Sequence, residues 1–356
     1  MTTRDTQPPR EGEEIDLDRL SAYLVKSEVA AGDIQVEQFP AGSSNLTYLV
    51  QIEEKDYVLR RPPFGNTVKT AHDMRREFDV LSKLSRVYAQ APVPLHFCSD
   101  TRVLGSEFYL MERRNGLIIR GTLPDDPELS ATRKRLETSQ EFREQVCGSF
   151  VKNLSRLHAI DIAEAGLERL GRPDGYCRRQ VEGWSDRYLS AKTHDLPRAD
   201  RVMAWLNENV PAESGASVIH NDYKFDNVML DPTDLTEVTA VLDWEMVTVG
   251  DPLMDLGTTL GYWMAADVGD ELLNMSFNPK VLMENVTRAQ LVEMYASASG
   301  KTIEDISFYY VFGTFKIAVI AQQIYARFAA GRTRDKRFSA FDRFVAALMN
   351  TASSAI

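Results

Sequence analysis

The sequence predicts an α+β protein with two lobes, a small antiparallel sheet followed by a larger, mainly helical part. Three observations support this prediction. Short segments of alternating β-branched or aromatic residues cluster between positions 33 and 114. After position 117, long segments repeat apolar residues every three to four positions, which is the spacing of an amphipathic helix. A polar loop and a hairpin at positions 218–243 interrupt these helices.

The sheet of the first lobe is predicted from five short segments with turns between them. In order they are DIQVEQF, NLTYLVQIE, DYVLRR, LHFCSD and EFYLMERR. A helix with Asp16 as its N-cap is expected before them, in IDLDRLSAYLVKS. A charged amphipathic helix is expected between the third and fourth strands, at positions 66–87, and TRVLGS (101–106) is expected to form a turn.

The chain of 356 residues is longer than a single hydrophobic core usually supports. Residues 1–14 are rich in Pro, Arg and Glu and are expected to form a flexible N-terminus. Residues 15–115 are then the sheet-containing lobe, and residues 116–356 are the helical lobe. The clearest helix of that second lobe is expected at positions 139–160.

Charge and cysteine content restrict the class of protein. A net charge of −11 argues against a general nucleic-acid binder, because phosphate binding needs a basic surface. The first twenty residues are polar and no run of about eighteen apolar residues occurs, so neither a signal peptide nor a membrane span is expected. The three widely spaced cysteines are expected to be reduced thiols, which indicates a cytoplasmic protein.

The stretch VIHNDYKFDNVML, Val218–Leu230, places charged and amide side chains between apolar residues. NVMLD (227–231) and VTAVLD (238–243) are predicted to pair as a hairpin, which would bring Asn227 and Asp243 together at its open end. A carbonyl oxygen and a carboxylate suit Mg²⁺, which completes its shell with water and phosphate oxygens. The alternative is a polar turn followed by a solvated hairpin.

Asp222 lies five residues before Asn227, in the loop that enters the hairpin. A carboxylate beside a metal–phosphate centre can accept a hydrogen bond from a substrate hydroxyl and orient it for attack. His220 could take part in the chemistry or, more simply, hold the loop in place.

Three motifs carry a resemblance to a known family. HNDYKFDN (220–227), LDWE (242–245) and GDPLMDL (250–256) resemble the aminoglycoside phosphotransferase and choline kinase branch of the protein-kinase-like superfamily. YVLRRPP (57–63) is similar in particular to the phosphotransferase subfamily that also occurs fused to acyl-CoA dehydrogenases. The resemblance covers about residues 30–265 and implies a bilobal protein-kinase-like fold with a nucleotide-binding N-lobe and a helical C-lobe.

The resemblance implies ATP and Mg²⁺ as cofactors and assigns roles by motif position. Asp222 corresponds to the catalytic base, and Asn227 and Asp243 correspond to the Mg²⁺ ligands. Asp255 corresponds to the aspartate that braces the catalytic loop.

The segment FPAGSSNLTYLV stands where the family covers the phosphates of the nucleotide. Backbone N–H groups of Gly42, Ser43, Ser44 and Asn45 could cradle phosphates, although a loop with one glycine also suits an ordinary hairpin turn. Arg60 stands at the position of the usual phosphate-binding lysine. A guanidinium keeps the positive charge and can bind phosphate bidentately.

Glu77 is expected to pair with Arg60 because the apolar stripe of its helix turns this position toward the sheet. Asp73 and Asp79 of the same helix are its competitors for that role. The end of the sheet resembles the hinge whose backbone binds adenine. The hinge residues are Met111, Glu112 and Arg113.

Several side chains are candidates for the site that binds the phosphate acceptor. They are Trp184, Arg187, Tyr188, Glu245 and Tyr262. Aromatic residues at helical spacing more often belong to a core, so core packing stays the alternative. If these residues line a cleft, they suit a hydroxylated small molecule, either aminoglycoside-like or hydroxyacyl-CoA-like.

These features predict an ATP- and Mg²⁺-dependent phosphotransferase that moves the γ-phosphate to a hydroxyl of a small molecule. The alternative is a catalytically silent nucleotide-binding pseudokinase that regulates a partner, and the single-glycine loop and Arg60 favour it. A protein kinase is disfavoured because GDPLMDL follows Asp243 within a dozen residues, which leaves little room for a peptide-docking segment. The sequence leaves the oligomeric state open.

Overall fold

The computed structural model describes residues 5–40, 45–63, 73–265, 268–273, 278–333 and 335–356. The chain divides into two compact units. The N-terminal unit consists of the chain up to Asn115 together with Ala240–Glu245, and the C-terminal unit consists of Gly116–Thr239 and Met246–Ile356. Residues 240–245, which lie in the region predicted as the helical lobe, are grouped with the N-terminal unit.

The N-terminal unit contains a five-stranded antiparallel sheet, as predicted. Its strands are β1 (Ile34–Gln38), β2 (Leu46–Ile52), β3 (Lys55–Arg61), β4 (Pro94–Cys98) and β5 (Phe108–Glu112). Their order in the sheet is β1-β2-β3-β5-β4. The helices in its described part are α1 (Leu17–Lys26), α2 (Met74–Leu84) and α3 (Thr101–Leu104).

Helix α1 begins where the sequence predicts. The carboxylate of Asp16 accepts a hydrogen bond from the backbone N–H of Arg19, which satisfies one free donor of the first turn. Leu20 and Leu24 then lie on one face, because they are four positions apart. Both are fully buried in a core cluster with side chains of β1, β2 and β5.

Two local predictions differ from the structure. The segment expected to be a turn forms α3, which Asp100 caps and Gly105 ends in the left-handed conformation with φ 80°. The helix expected at positions 66–87 is α2, which begins at Met74 after the N-cap Asp73 and ends at Leu84. Positions 66–72 lie outside the described residues.

Residues 5–14, which the sequence expects to be flexible, form hydrogen bonds with the sheet. The backbones of Gln7 and Gln38 exchange two hydrogen bonds of 2.9 and 2.7 Å. The amide of Gln38 donates to the carboxylate of Glu13 at 2.6 Å, and the hydroxyl of Tyr48 donates to the carbonyl of Glu13 at 2.7 Å. This segment therefore lies along β1.

The segment 240–245 belongs to the N-terminal unit through contacts with the chain before β4. The backbone N–H of Val241 donates to the carbonyl of Gln90 at 2.8 Å. Trp244 is buried and packs edge-on against Tyr88, with 6.0 Å between the ring centroids. Its indole N–H donates to the carbonyl of Val241 at 2.8 Å, which orients the ring.

The C-terminal unit is mainly helical, as predicted. Its described helices are α4 (Ser130–Thr138), α5 (Gln140–His158), α6 (Tyr176–Ala191), α7 (Pro197–Glu208), α8 (Pro252–Tyr262), α9 (Asp270–Leu273), α10 (Lys280–Met283), α11 (Arg288–Ser299), α12 (Ser307–Ala329) and α13 (Phe341–Ser354). Two short strands, β6 (Ser217–Ile219) and β9 (Thr248–Gly250), pair antiparallel. In the described part of the chain, none of the helices is both long and apolar enough to cross a membrane.

The predicted hairpin is present between these elements. Its strands are β7 (Val228–Leu230) and β8 (Val238–Val241), which form a two-stranded sheet. The backbone N–H of Asp231 donates to the carbonyl of Glu237 at 2.9 Å and closes the turn. The hairpin therefore places Asn227 directly before β7, at the end of the polar loop.

Helices α8 and α12 approach each other through two glycines. A Cβ atom at Gly313 would lie 2.1 Å from the carbonyl oxygen of Gly257, and a Cβ at Gly257 would lie 2.2 Å from the carbonyl oxygen of Tyr309. Real Cβ atoms do not approach a backbone this closely, so only glycine fits at these two positions. This contact sets the distance between the two helices that carry the loop-binding residues described below.

Candidate active site

The polar loop follows β6 and begins with a left-handed residue. His220 is fully buried, and Asn221 has φ 68°. Asn tolerates this conformation better than most residues with a Cβ atom, because its short side chain can form local hydrogen bonds. The turn at Asn221 changes the chain direction just before Asp222.

The carboxylate of Asp222 accepts hydrogen bonds from three side chains of the same unit. The hydroxyl of Tyr262 donates to Oδ1 at 2.6 Å. The ammonium of Lys224 and the amide of Asn227 donate to Oδ2 at 2.5 and 2.8 Å. The side chain of Asp222 is 15% exposed, so these contacts form in a largely dry environment.

These contacts keep Asp222 ionised. Burial opposes the charged form of the carboxyl group, but the charge and hydrogen bond of Lys224 and the hydrogen bond of Tyr262 outweigh burial. The pKa of Asp222 therefore lies below its ordinary value. Its carboxylate is a fixed hydrogen-bond acceptor at neutral pH.

Asp255 holds the backbone of the loop. It is fully buried in α8, and its Oδ1 and Oδ2 accept hydrogen bonds of 2.7 Å from the backbone N–H groups of Asn221 and His220. His158 lies 3.1 Å from Oδ2, and its other ring nitrogen lies 2.7 Å from the hydroxyl of Tyr295. Burial raises the pKa of Asp255, but the contacts with His158 and with the loop outweigh burial. The pKa of Asp255 therefore lies below its ordinary value, and the group stays ionised.

The amide orientation of Asn227 suits the predicted metal ligand. Its nitrogen donates to the backbone carbonyl of Asp222 at 2.9 Å and to the carboxylate of Asp222 at 2.8 Å. The side-chain carbonyl oxygen, which is the atom that binds a hard cation, is therefore not used in these bonds. Asn227 is only 8% exposed, and its buried surroundings keep its side chain in place.

Arg60 is the centre of a charge cluster in the N-terminal unit. Its guanidinium lies 3.0 Å from the carboxylate of Asp243, 3.5 Å from Glu77 and 3.9 Å from Glu245. Burial disfavours the guanidinium charge, but Glu77 and the neighbouring groups outweigh burial and raise the pKa of Arg60 well above its ordinary value. The alternation of β3 sends Arg61 to the other face, where it donates to the carbonyl of Leu104 at 2.8 Å.

Glu77 is the helix carboxylate that pairs with Arg60, and its competitors have other roles. Its side chain is 2% exposed, and burial raises its pKa more than Arg60 lowers it. Asp73 is the N-cap of α2 and accepts from the backbone N–H of Arg76 at 2.8 Å. Asp79 is 57% exposed and lies 3.8 Å from Arg75.

Of the predicted phosphate-binding loop, Asn45 is described and Gly42, Ser43 and Ser44 lie outside the described residues. The amide of Asn45 donates to the carboxylate of Glu245 at 2.8 Å. The guanidinium of Arg76 donates to the carbonyl of Glu245 at 3.1 Å. Glu245 thus connects the start of β2 with α2 inside the N-terminal unit.

The predicted hinge residues occupy the end of β5 and the turn after it. Met111 is buried at 7% exposure. The carboxylate of Glu112 accepts from the backbone N–H of Val93 at 2.8 Å. Arg113 forms ion pairs of 2.8 Å with Asp56 and 3.0 Å with Asp5. These side chains stabilise the end of β5, which leaves backbone groups as the nucleotide contacts that the sequence predicts.

The predicted acceptor residues separate into different environments. Tyr188 is 1% exposed and packs against Phe315, so it belongs to the core of the C-terminal unit. Trp184 is also buried, and the guanidinium of Arg187 lies 4.9 Å from its ring centroid. Glu245 belongs to the N-terminal unit. Tyr262 is the member of this set that contacts Asp222.

Sequence reasoning did not assign three residues that contact either the loop or Asp255, which binds the backbone of the loop. They are Lys224, His158 and Lys316. Lys224 lies two positions after Asp222, so its position in the motif could have indicated a contact with Asp222. Lys316 is a single charged residue in the apolar segment VFGTFKIAVIA, which is the pattern of a buried, hydrogen-bonded lysine. His158 ends a helix and carried no distinguishing signal.

The residues predicted to bind Mg²⁺ offer oxygen donors, which fit a hard cation. Asp243 supplies a carboxylate that is 33% exposed, and its backbone is left-handed with φ 67°. Asn227 supplies a carbonyl oxygen. Among the described residues, no three His, Cys, Asp or Glu side chains are grouped as a metal site. Asn227 and Asp243 belong to different units, so their predicted meeting stays a prediction.

Comparison with known proteins gives the same family as the motifs. A model of the phosphotransferase enzyme family matches residues 35–278. The chain is similar to acyl-CoA dehydrogenase family member 11 of Gallus gallus, with 33% identity over 352 residues, 96% of this chain and 43% of that protein. Family member 10 of Mus musculus is 31% identical over 333 residues, 92% of this chain and 30% of that protein. The chain thus spans less than half the length of these relatives.

Solved structures show the same fold. A Ralstonia eutropha protein described only as a proposed aminoglycoside phosphotransferase is 27% identical, with a TM-score of 0.77 over 96% of this chain and 98% of that chain. An aminoglycoside phosphotransferase in complex with AMP-PNP and hygromycin B is 16% identical, with a TM-score of 0.59 over 94% of this chain and 98% of that chain. A choline kinase from Cryptosporidium parvum is 14% identical, with a TM-score of 0.58 over 95% of this chain and 99% of that chain. Together with the family match over residues 35–278, these findings show that the chain belongs to the phosphotransferase enzyme family.

Proposed function

We propose that this protein is an ATP- and Mg²⁺-dependent phosphotransferase that transfers the γ-phosphate of ATP to a hydroxyl group of a small molecule. One observation carries the proposal. The carboxylate of Asp222 is largely buried, is kept ionised and is held in one orientation by Tyr262, Lys224 and Asn227. A polar loop without this function would not need three side chains to fix one carboxylate.

Asp222 acts as the base by orienting the acceptor hydroxyl. A carboxylate offers roughly four lone-pair positions, and three are occupied by the contacts in the described part of the chain. The remaining position accepts the hydrogen bond of the acceptor hydroxyl. The hydroxyl oxygen forms a bond to the γ-phosphorus, the bond from phosphorus to the bridging oxygen breaks, ADP leaves, and the hydroxyl proton passes to Asp222. In a loose transition state little of the hydroxyl proton has yet been transferred. A carboxylate with a low pKa is therefore a strong enough base for this step.

The N-terminal unit is proposed to bind ATP. Arg60, positioned by Glu77, holds phosphate oxygens with its guanidinium. The backbone of the loop before β2 binds the phosphates. The backbone of Met111–Arg113 binds the adenine. Asn227 and Asp243 would hold Mg²⁺, which neutralises phosphate charge when it is bound. The complex of an aminoglycoside phosphotransferase with AMP-PNP supports nucleotide use by this fold.

The acceptor is proposed to be a hydroxylated small molecule that binds to the C-terminal unit. The solved relatives include a complex with hygromycin B and a choline kinase, and the curated relatives are acyl-CoA dehydrogenase family members. These names support aminoglycoside-like and hydroxyacyl-CoA-like acceptors as the first classes to test. The three cysteines are free and buried, which supports the proposed cytoplasmic location.

The proposal is tested by following ADP release and acceptor phosphorylation with a panel of aminoglycosides, choline-like amines and hydroxyacyl-CoAs. Asp222→Asn is expected to lower kcat by at least about a hundredfold, the usual contribution of a positioned acid or base. Asp186→Asn, which changes an exposed aspartate on α6, is the matched control and should retain wild-type activity. Wild-type turnover by Asp222→Asn would reject the role of Asp222.

Nucleotide binding is tested separately by thermal shift. ATP with Mg²⁺ is expected to raise the Tm of the wild type, and Asp243→Ala should lose the Mg²⁺-dependent part of this shift. Stabilisation without turnover on any acceptor would instead support the silent nucleotide-binding module. No stabilisation by any nucleotide at millimolar concentration would contradict both functions.

A further inference from the structure

Lys316 is a buried charge that the proposed mechanism does not yet use. It lies in the middle of α12 and is 1% exposed. Its ammonium donates to the backbone carbonyl of Asn221 at 2.7 Å and to the side-chain carbonyl of Asn221 at 3.2 Å. Both acceptors are neutral, and within the described ranges Lys316 forms no ion pair. Because burial of such a charge is costly, this position calls for a functional explanation.

The contact with Asn221 acts on the peptide group that precedes Asp222. The carbonyl oxygen of Asn221 and the backbone N–H of Asp222 belong to one planar peptide unit. Lys316 binds the oxygen of this unit at 2.7 Å, and Nδ1 of His220 accepts from its N–H at 3.2 Å. The plane is therefore held at both ends, and its direction fixes where the Cα–Cβ bond of Asp222 points.

The other polar atoms of Asn221 are also fixed, which leaves its left-handed backbone with one arrangement. Its N–H donates to Asp255 at 2.7 Å, and its side-chain amide donates to the carbonyl of Met246 at 3.1 Å. The hydroxyl of Tyr176 lies 3.4 Å from the side-chain carbonyl. Asp255 thus holds the N–H side of the turn, and Lys316 holds the carbonyl side.

We propose that Lys316 is a positioning residue for phosphoryl transfer, because it fixes the peptide group between Asn221 and Asp222 and thereby aims the Asp222 carboxylate at the acceptor hydroxyl. This inference rests on the proposed function. Lys316 does not contact the reacting atoms, so its effect is expected in kcat and much less in the KM for ATP. A shift of about 1 Å in a catalytic group is enough to lower a rate by about a hundredfold.

The protonation of Lys316 makes this role dependent on pH. Burial lowers the pKa of Lys316 to about 8, against the opposing effect of Asp255 and Asp222. Lys224 in the loop and Arg187 on α6 lower this pKa further. Above pH 8 the neutral amine keeps N–H donors but loses the charge that strengthens both hydrogen bonds. Transfer activity of the wild type should therefore fall as the pH rises through about 8.

The test compares kcat and the KM for ATP of three variants between pH 6 and 10. Lys316→Met is expected to lower kcat by about tenfold or more at pH 7, to change the KM for ATP by less than about threefold, and to lose the alkaline fall. Lys316→Arg stays charged to pH 10, so it should keep part of the activity and shift the alkaline fall upward. Lys152→Met, an exposed lysine on α5, is the matched control and should behave as the wild type.

Each outcome decides the inference. Wild-type kcat and an unchanged pH profile in folded Lys316→Met would overturn it while leaving the proposed function intact. If Lys316→Met does not fold, Lys316→Arg decides, because an alkaline fall at the wild-type pH in that variant would overturn the inference as well. Absence of transfer by the wild type to every acceptor would overturn the proposed function and this inference together.

Discussion

The hydroxyl of Tyr262 donates a hydrogen bond of 2.6 Å to Oδ1 of Asp222. Tyr262 is the last residue of α8, and Asp255, which binds the backbone of the same loop, lies in the first turn of that helix. The two residues are seven positions apart, which is close to two helical turns, so both side chains project from one face. Helix α8 therefore holds the backbone of the loop through Asp255 and the carboxylate of Asp222 through Tyr262.

The first prediction concerns this hydroxyl. Tyr262→Phe removes one donor from the Asp222 carboxylate and should raise the pKa of Asp222, because the hydrogen bond from Tyr262 helps to lower it. We expect the acidic limb of the kcat/KM profile to move to higher pH and kcat at pH 7 to fall by roughly tenfold, the effect of one charge-assisted hydrogen bond. Tyr325→Phe on α12 is the control. An acidic limb at the wild-type position would show that Tyr262 does not tune Asp222.

The second prediction concerns the buried pair of the N-terminal unit. Glu77→Gln leaves the guanidinium of Arg60 without its most buried partner, so the free energy of unfolding should fall by about 3 kcal/mol. Asp79→Asn breaks an exposed pair of 3.8 Å on the same helix and should cost less than about 0.5 kcal/mol. Urea denaturation of both variants measures the difference. Equal midpoints for Glu77→Gln and Asp79→Asn would contradict the prediction.

The partner of Arg60 could be predicted from the sequence because a local pattern decides it. Helix α2 buries Met74, Glu77, Val80, Leu81 and Leu84, a stripe with three- to four-residue spacing. Glu77 falls on this stripe and faces the sheet. Asp73 lies before the first turn and Asp79 lies on the exposed face, so helical geometry alone separates the three carboxylates.

Contacts between distant positions could not be predicted in this way. Lys316 lies 95 positions after Asn221, and Tyr262 lies 40 positions after Asp222. These pairs depend on how α8 and α12 pack, and packing follows from the close approach at Gly257 and Gly313 rather than from the motif. The motif therefore predicted which loop residues form the site, whereas the side chains that hold these residues depend on tertiary packing.

The third prediction concerns the glycines between α8 and α12. Gly313→Ala would place a Cβ atom 2.1 Å from the carbonyl oxygen of Gly257, so the helices must move apart. The free energy of unfolding should fall by more than about 2 kcal/mol, the range of overpacked cores. Gly148→Ala in α5 is the matched control, because no atom lies within 4 Å of its added Cβ. This control should be neutral or stabilising by up to about 1 kcal/mol.

Calorimetry of the two alanine variants measures this difference in Tm. A displaced α12 would also move Lys316 away from Asn221, so Gly313→Ala should lose transfer activity at temperatures where it remains folded. Full activity and an unchanged Tm in Gly313→Ala would show that the two helices tolerate a wider separation.

The last prediction concerns stability and pH, and its sign follows from the depressed pKa of Lys316. The pKa of this lysine is about 8 in the folded chain, against 10.5 for an ordinary lysine. Below pH 8 both states carry the charge, and the folded state bears the full cost of burying it. Between pH 8 and 10.5 the folded state has released the proton that the unfolded state still binds, so the stability contributed by this group rises with pH.

Relative to Lys316→Met, the wild type should therefore gain up to about 3 kcal/mol in free energy of unfolding between pH 7 and 10.5. Urea denaturation of both proteins across this range measures the gain, and ionisation of tyrosines and cysteines cancels in the difference. Parallel curves would mean that Lys316 keeps an ordinary pKa, and the alkaline fall in activity would then need another cause.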